Sequence, residues 1–170
     1  MGEAEAGAVD AILRAADRAP APAHLEFPYG FDHPRALARV RALVDRLQTA
    51  FDCRCPADTG VQDASFHATV CVPAEATGAG ERIVVRLSNF GDLAVASADF
   101  PGCYGDLDEA EEAGALTSAD RRTVEEAARS LGYVLIPESA LRRPYDGVTR
   151  MAEWALRGEV TWWTRFFDYL

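Results

Sequence analysis

The residue types able to do nucleophilic or acid–base chemistry are few in this sequence and poorly spaced for it. Histidine occurs at His24, His33 and His67, and cysteine at Cys53, Cys55, Cys71 and Cys103. Nucleophilic catalysis needs a base within hydrogen-bond reach of the nucleophile and an acid to orient that base. The one suggestive pairing is His67 with Cys71, on the same face of an expected strand. That spacing corresponds to about 13 Å, far beyond direct proton transfer. His24 follows a proline-rich link and His33 stands at a helix start; structural or surface roles are the simpler reading of all three. No catalytic residue is assigned, and the balance of expectation leans away from an enzyme.

Metal and phosphate chemistry fare no better. Cys53-Arg54-Cys55 leaves one residue between the thiols where zinc knuckles leave two to four, and no second close pair follows. A mixed site recruiting Cys71, Cys103 or His67 stays open on paper, but small buried thiols are the plainer reading. Every basic residue is arginine, which excludes Schiff-base and phosphate-loop lysine chemistry. Thr77-Gly78-Ala79-Gly80 lies between two expected strands rather than ahead of a helix, and no G-x-S-x-G elbow is present. The acidic run from Asp106 to Glu112 lacks the sixth-position glycine and twelfth-position glutamate of a calcium loop. Neither a metal nor a cofactor is expected. The run reads instead as a solvated loop offering Asp106, Asp108, Glu109, Glu111 and Glu112 to a basic partner.

The whole composition points the same way. A net charge of −10 repels phosphate backbones and anionic lipid, so direct nucleic-acid binding is disfavoured and a basic protein partner favoured. No window approaches the roughly 18 apolar residues of a membrane span. The first 20 residues lack the apolar block of a secretory signal, so a cytoplasmic location with reduced thiols is expected. With 170 residues and 49% hydrophobic content, one core and a single domain over 1–170 are expected, residues 1–23 being a possible helical extension.

The elements that must position these side chains follow from periodicity. Val9, Ile12, Leu13 and Ala16 form a helical stripe over 3–18. Pro34 and the stripe Leu37, Val40, Val44, Leu47, Phe51 predict a helix at 34–51. Alternation then predicts strands at 66–72, 82–88 and 93–98, with Phe66, Ala68, Val70 and Val72 sharing a face. A long acidic loop is expected at 99–115 and a helix at 118–131, capped by Thr117 with Asp120 and ended by Gly132. A short strand at 133–136, a short helix at 148–157 and a final strand at 160–169 complete the chain. The economical arrangement is α+β: an antiparallel or mixed sheet of about five strands with helices mainly on one face.

The C-terminal segment is the least ordinary. All three tryptophans, Trp154, Trp162 and Trp163, fall close together, followed by Phe166, Phe167 and Tyr169. As a strand, this segment would carry large aromatics on both faces. It is then either a central strand covered on both sides or a strand with one face free for recognition. Trp162, Trp163, Arg165 and Phe167 are the candidate contacts, since Trp, Tyr and Arg dominate binding hot spots. In a ligand-binding or enzymatic alternative, a pocket between the sheet and helix 118–131 would use Tyr145, Asp146, His67 and Arg165. A homodimer formed through the aromatic strand is a third possibility.

Four blocks, Ser88-Asn89-Phe90-Gly91-Asp92-Leu93, Gly132-Tyr133 through Pro137, Pro144-Tyr145-Asp146-Gly147 and Trp162-x-x-Arg165-x-Phe167-Asp168-Tyr169-Leu170, resemble blocks of small bacterial proteins without assigned activity. In size, acidity and absence of catalytic motifs these are similar to immunity proteins that neutralise polymorphic toxins. The resemblance spans roughly residues 60–170. It implies a non-enzymatic, acidic inhibitor that blocks a basic toxin or effector domain, and it transfers no catalytic residues.

Overall fold

The computed structural model describes residues 2–20, 25–151 and 160–170. Its centre is a five-stranded mixed sheet: β1 (Ala57–Asp58), β2 (Phe66–Val72), β3 (Ile83–Ser88), β4 (Leu93–Ala98) and β5 (Val134–Leu135), in that spatial order. The first four strands are antiparallel neighbours and β5 joins β4 in parallel. Short loops permit the meander, whereas the parallel step needs a crossover, which helices α3 (Leu107–Glu112) and α4 (Ser118–Arg129) supply. The expected α+β class and mixed five-stranded sheet are therefore the observed ones.

The larger helical layer covers one face. In α2 (His33–Phe51), the Asp32 carboxylate accepts a hydrogen bond from Arg35 N at 3.0 Å, and Pro34 occupies the first turn. The fully buried residues of α2 are Ala36, Val40, Leu43 and Leu47, a stripe rotated slightly from the expected one. Val40, Leu43 and Leu47 pack with Val124, Ala127 and Ala128 of α4 onto Ala68, Val70, Val72, Ile83, Val85, Leu87, Ala94, Ala96 and Ala98. The opposite face holds a second apolar cluster. There α1 (Glu3–Asp17) contributes Val9, Leu13 and Ala16, and α5 (Glu138–Leu141) contributes Ala140 and Leu141. With both faces covered, all six residues of β4 are buried.

Two expected elements are corrected. The stretch 99–115 is not loop throughout: α3 forms because the Asp106 side chain accepts from Glu109 N at 3.0 Å and Asp108 and Glu109 lie at the positive end of the helix dipole. Ala110 is buried beneath it. The aromatic segment is not a strand but α6 (Trp162–Phe167), started by a reciprocal Thr161–Thr164 capping box. Aromatics at 162, 163, 166 and 167 make one helical face, which a period of two splits artificially between two sides. Only the last residues are extended: Ser65 N donates to Asp168 O at 3.0 Å, and Leu170 N to Asp63 O at 2.8 Å. Most of the expected helix at 148–157, with Trp154, lies outside the described residues, as does His24.

Alternation along β2 also breaks once. Phe66 pairs with Ser88 and Ala68 with Leu87, leaving His67 as an extra residue in a β-bulge. Phe66 consequently leaves the face of Ala68 and Val70 and lies under the Arg86 guanidinium, 4.3 Å from its ring centre.

Candidate functional site

The candidate contacts of the C-terminal segment converge on the interior. Trp162, Trp163, Arg165, Phe166 and Phe167 are all buried, packed with Phe90, Leu93 and Val95. Arg165 has no exposed surface. Its guanidinium lies 4.1 Å from the Phe90 ring centre and 5.1 Å from that of Phe166. Arg165 Nε donates to Asp17 Oδ1 at 2.9 Å, and Nη1 reaches Leu25 O at 3.5 Å. Asp17 receives three further hydrogen bonds, from Tyr145 OH at 2.6 Å, Val148 N at 2.7 Å and Thr149 Oγ1 at 2.8 Å. Burial by itself would raise the Asp17 pKa. The donors outweigh it and hold the carboxyl below its usual value. Burial and the Asp17 carboxylate together push the Tyr145 phenol up to about 12.

This network closes a seam rather than opening a site. Two expected members, Tyr145 and Arg165, meet at Asp17; the other two do not. Asp146 turns outward to Arg14, with Nη2 to Oδ2 at 2.8 Å, and His67 belongs to a different neighbourhood. Asp17 was invisible as a site residue in the sequence. Its one signal is an acid in the last turn of a helix, where the dipole disfavours it and a tertiary partner must compensate.

On α3 the acidic side chains divide. Arg121 of α4 donates to Asp108 Oδ1 at 2.5 Å, Glu111 Oε2 at 2.6 Å and Glu125 Oε1 at 3.0 Å. These bonds hold Glu111 below its usual carboxyl pKa, Ser118 contributing first and Arg121 second. Asp106 caps the helix, and the Glu109 carboxylate accepts from Gly105 N at 2.6 Å. Asp108, Glu109 and Glu112 are exposed. A cavity of about 140 Å³ lies between this corner, α4 and the sheet, at the place the ligand-binding alternative expects, with Arg121, Glu125, Arg129 and Glu138 in its wall.

A second concavity was not anticipated. His67 stands between two cavities of about 270 and 420 Å³. Phe31, from the loop ahead of α2, borders both, its ring centre 5.7 Å from that of His67. His67 Nδ1 lies 3.1 Å from Asn89 Oδ1. Asn89 Nδ2 already donates to Glu26 O at 2.8 Å and Ala64 O at 3.1 Å, so the amide orientation is fixed. Nδ1 therefore carries the proton, and Nε2 of the neutral ring is a lone-pair acceptor. Burial, with His33 and Arg39 nearby, lowers the His67 pKa from 6.5 to about 4 against the opposing pull of Asn89. In the smaller cavity Tyr133 is 3% exposed, with the Arg39 guanidinium 4.0 Å from its ring centre. Glycine at 132, in the left-handed region at φ 81°, ends the turn that delivers Tyr133 there.

The thiols are not arranged for reaction. Cys53 Sγ and Cys55 Sγ lie 3.7 Å apart as free thiols, and burial followed by Cys53 pushes the Cys55 thiol up to about 12. Burial also raises Cys71, so thiolate is scarce at neutral pH. Among the described residues, no group of three or more His, Cys, Asp or Glu side chains is placed to hold a metal ion. No described helix is long and apolar enough to cross a membrane. Comparison with known proteins returns no matching family model, no matching curated protein and no matching solved structure.

Proposed function

We propose that this chain is a non-enzymatic protein-binding module, an acidic immunity or inhibitor protein of the cytoplasm that blocks a basic toxin or effector domain. The observation that carries this reading is the charge at the α3–α4 corner. Five acids fall between Asp106 and Glu112, a sixth, Glu125, is drawn in, and one guanidinium, Arg121, answers three of them. Exposed Asp108, Glu109 and Glu112 leave a fixed negative surface rather than a fluctuating loop, because α3 is capped and its buried Ala110 anchors it. Phe100, on the segment leading into α3, is 54% exposed, with the Arg82 guanidinium 4.4 Å from its ring centre, and supplies an aromatic contact. Such a surface steers a basic partner at long range and gives affinity where the apolar contact closes. Trp162, Trp163, Arg165 and Phe167 are buried and are left out of the proposed surface.

The test is capture of partners from the native host on the tagged chain, washed at low and then high salt. Glu109→Gln with Glu112→Arg serves as comparison: glutamine keeps an acceptor for Gly105 N, and Asp106, Asp108 and Glu111, which also hold α3 together, stay in place. Retention of one basic protein by the parent chain, weakened by salt and lost in the double variant, supports the reading. Equal retention by the double variant at low salt, or no stoichiometric partner, overturns it.

A further inference from the structure

We propose that the smaller cavity beside His67 is a binding site for a small zwitterion of the α-amino-acid type. The first reason is the set of unmatched hydrogen-bonding atoms. His67 and Tyr133 are 6% and 3% exposed, and His67 Nε2, Tyr133 OH and Arg39 Nε lack any partner among the described residues. Leaving such a group buried and unpaired is unfavourable, and three of them belong to residues bordering one cavity of about 270 Å³. The fixed tautomer makes their demands specific. Nε2 needs a donor, Arg39 Nε needs an acceptor, and the Tyr133 hydroxyl takes either.

Charge supplies the second reason. The wall carries two guanidinium groups, Arg35 and Arg39, and two carboxylates, Asp32 and Asp92. Arg39 is paired with Asp92, and the Asp32 carboxylate lies over the start of α2. A cavity with balanced charge of both signs favours a ligand that is itself neutral overall but carries both charges; a plain anion would leave Asp32 and Asp92 opposed. In the proposed complex the ammonium faces Asp32, the carboxylate accepts from Arg35 and the side chain rests on Phe31. His67 Nε2, Tyr133 OH and Arg39 Nε, which have almost no open surface, are reached as the wall adjusts to the ligand. The site lies apart from the α3 corner and stands or falls independently of the proposed partner.

Titration calorimetry on the full chain at pH 7.5 tests this with L-phenylalanine, L-leucine and L-serine. Phenethylamine and 3-phenylpropionate, which each keep one charge of phenylalanine, are the controls. The expected result is saturable binding of at least one amino acid and at least about tenfold weaker binding of both half-molecules. Amino-acid binding is also expected to shift the ¹⁵N resonance of His67 Nε2. Asp32→Asn keeps a capping side chain and removes the charge, Arg35→Gln removes an exposed guanidinium, and Tyr133→Phe deletes one unpartnered hydroxyl, so all three leave the fold intact. Each should weaken binding, Tyr133→Phe by about fivefold if one hydrogen bond is lost. The proposal is overturned if none of the three amino acids moves the His67 resonance at about 20 mM, well above the roughly 1 μM–1 mM range usual for metabolite sites, if a half-molecule binds as tightly as the amino acid, or if the three variants bind unchanged.

Discussion

Arg165 Nε and Asp17 Oδ1 meet at 2.9 Å, across 148 residues of chain, with both side chains enclosed. This ion pair joins the end of α1 to α6. Around it Tyr145 and Thr149 wrap the 145–149 segment onto the same carboxylate.

Removing one partner should therefore be far worse than removing both. Asp17→Asn or Arg165→Met leaves a buried charge uncompensated and is expected to cost about 3–5 kcal/mol. The double variant Asp17→Asn with Arg165→Met removes both charges while keeping an oxygen acceptor for Tyr145, Val148 and Thr149, and should recover part of that loss. Urea unfolding of the three variants checks this; additive losses would show that the pair acts through packing and not through charge.

Gly147→Ala addresses the same seam by shape. A Cβ at this position would meet Asp17 Oδ2 and the Tyr145 hydroxyl well inside van der Waals contact. The expected loss is about 1–3 kcal/mol from overpacking. Thermal unfolding reads it, and a neutral result would mean that the 145–149 segment does not need to lie this close.

The pH dependence should have two separate windows. His67 has a folded pKa lowered from 6.5 to about 4, with His33 and Arg39 on the α2 side and Ser88 and Asn89 at the end of β3 facing it. Between these values the unfolded chain binds the proton and the folded chain does not, so stability falls as pH drops from 6.5 towards 4. The drop is up to about 3 kcal/mol at about 1.4 kcal/mol per unit. Asp17 is lowered from 3.8, so its contribution is complete above that value and disappears only as pH falls through the folded pKa. Urea midpoints at successive pH values should show both steps, and His67→Gln should flatten the first alone.

The start of α6 offers a graded comparison. Thr161 Oγ1 accepts from Thr164 N at 3.3 Å. Thr161→Ala should cost about 1 kcal/mol for the lost cap, and Trp162→Ala about 3–5 kcal/mol for the vacated core. Both losses should appear in unfolding measurements, and Thr161→Ala should leave capture of the basic partner unchanged. Lost capture by a still-folded Thr161→Ala chain would place α6 in the interface.

Where local pattern and tertiary demand coincide, the elements were legible. Pro34 with the stripe through Val40 and Leu47 determined α2. Thr117, Asp120 and Gly132 bounded the region of α4, and the alternation of β3 and β4 determined the meander. These signals are local: caps, turns and a repeat of one face. The tertiary structure decided what local patterns leave degenerate. Trp162, Trp163, Phe166 and Phe167 suit a two-sided strand or a one-sided helix, and the choice went to the helix because one aromatic face could close over Phe90 and Leu93. The run from Asp106 to Glu112 looks self-repelling until Arg121 of α4 comes within reach of Asp108 and Glu111. His67 reads as one polar residue of an alternating strand, and only the bulge opposite Ser88 and Leu87 turns it towards Asn89 and Phe31. Charge, size and periodicity are properties of neighbours in sequence. Buried pairs such as Asp17 with Arg165 depend on which distant segments the sheet brings together.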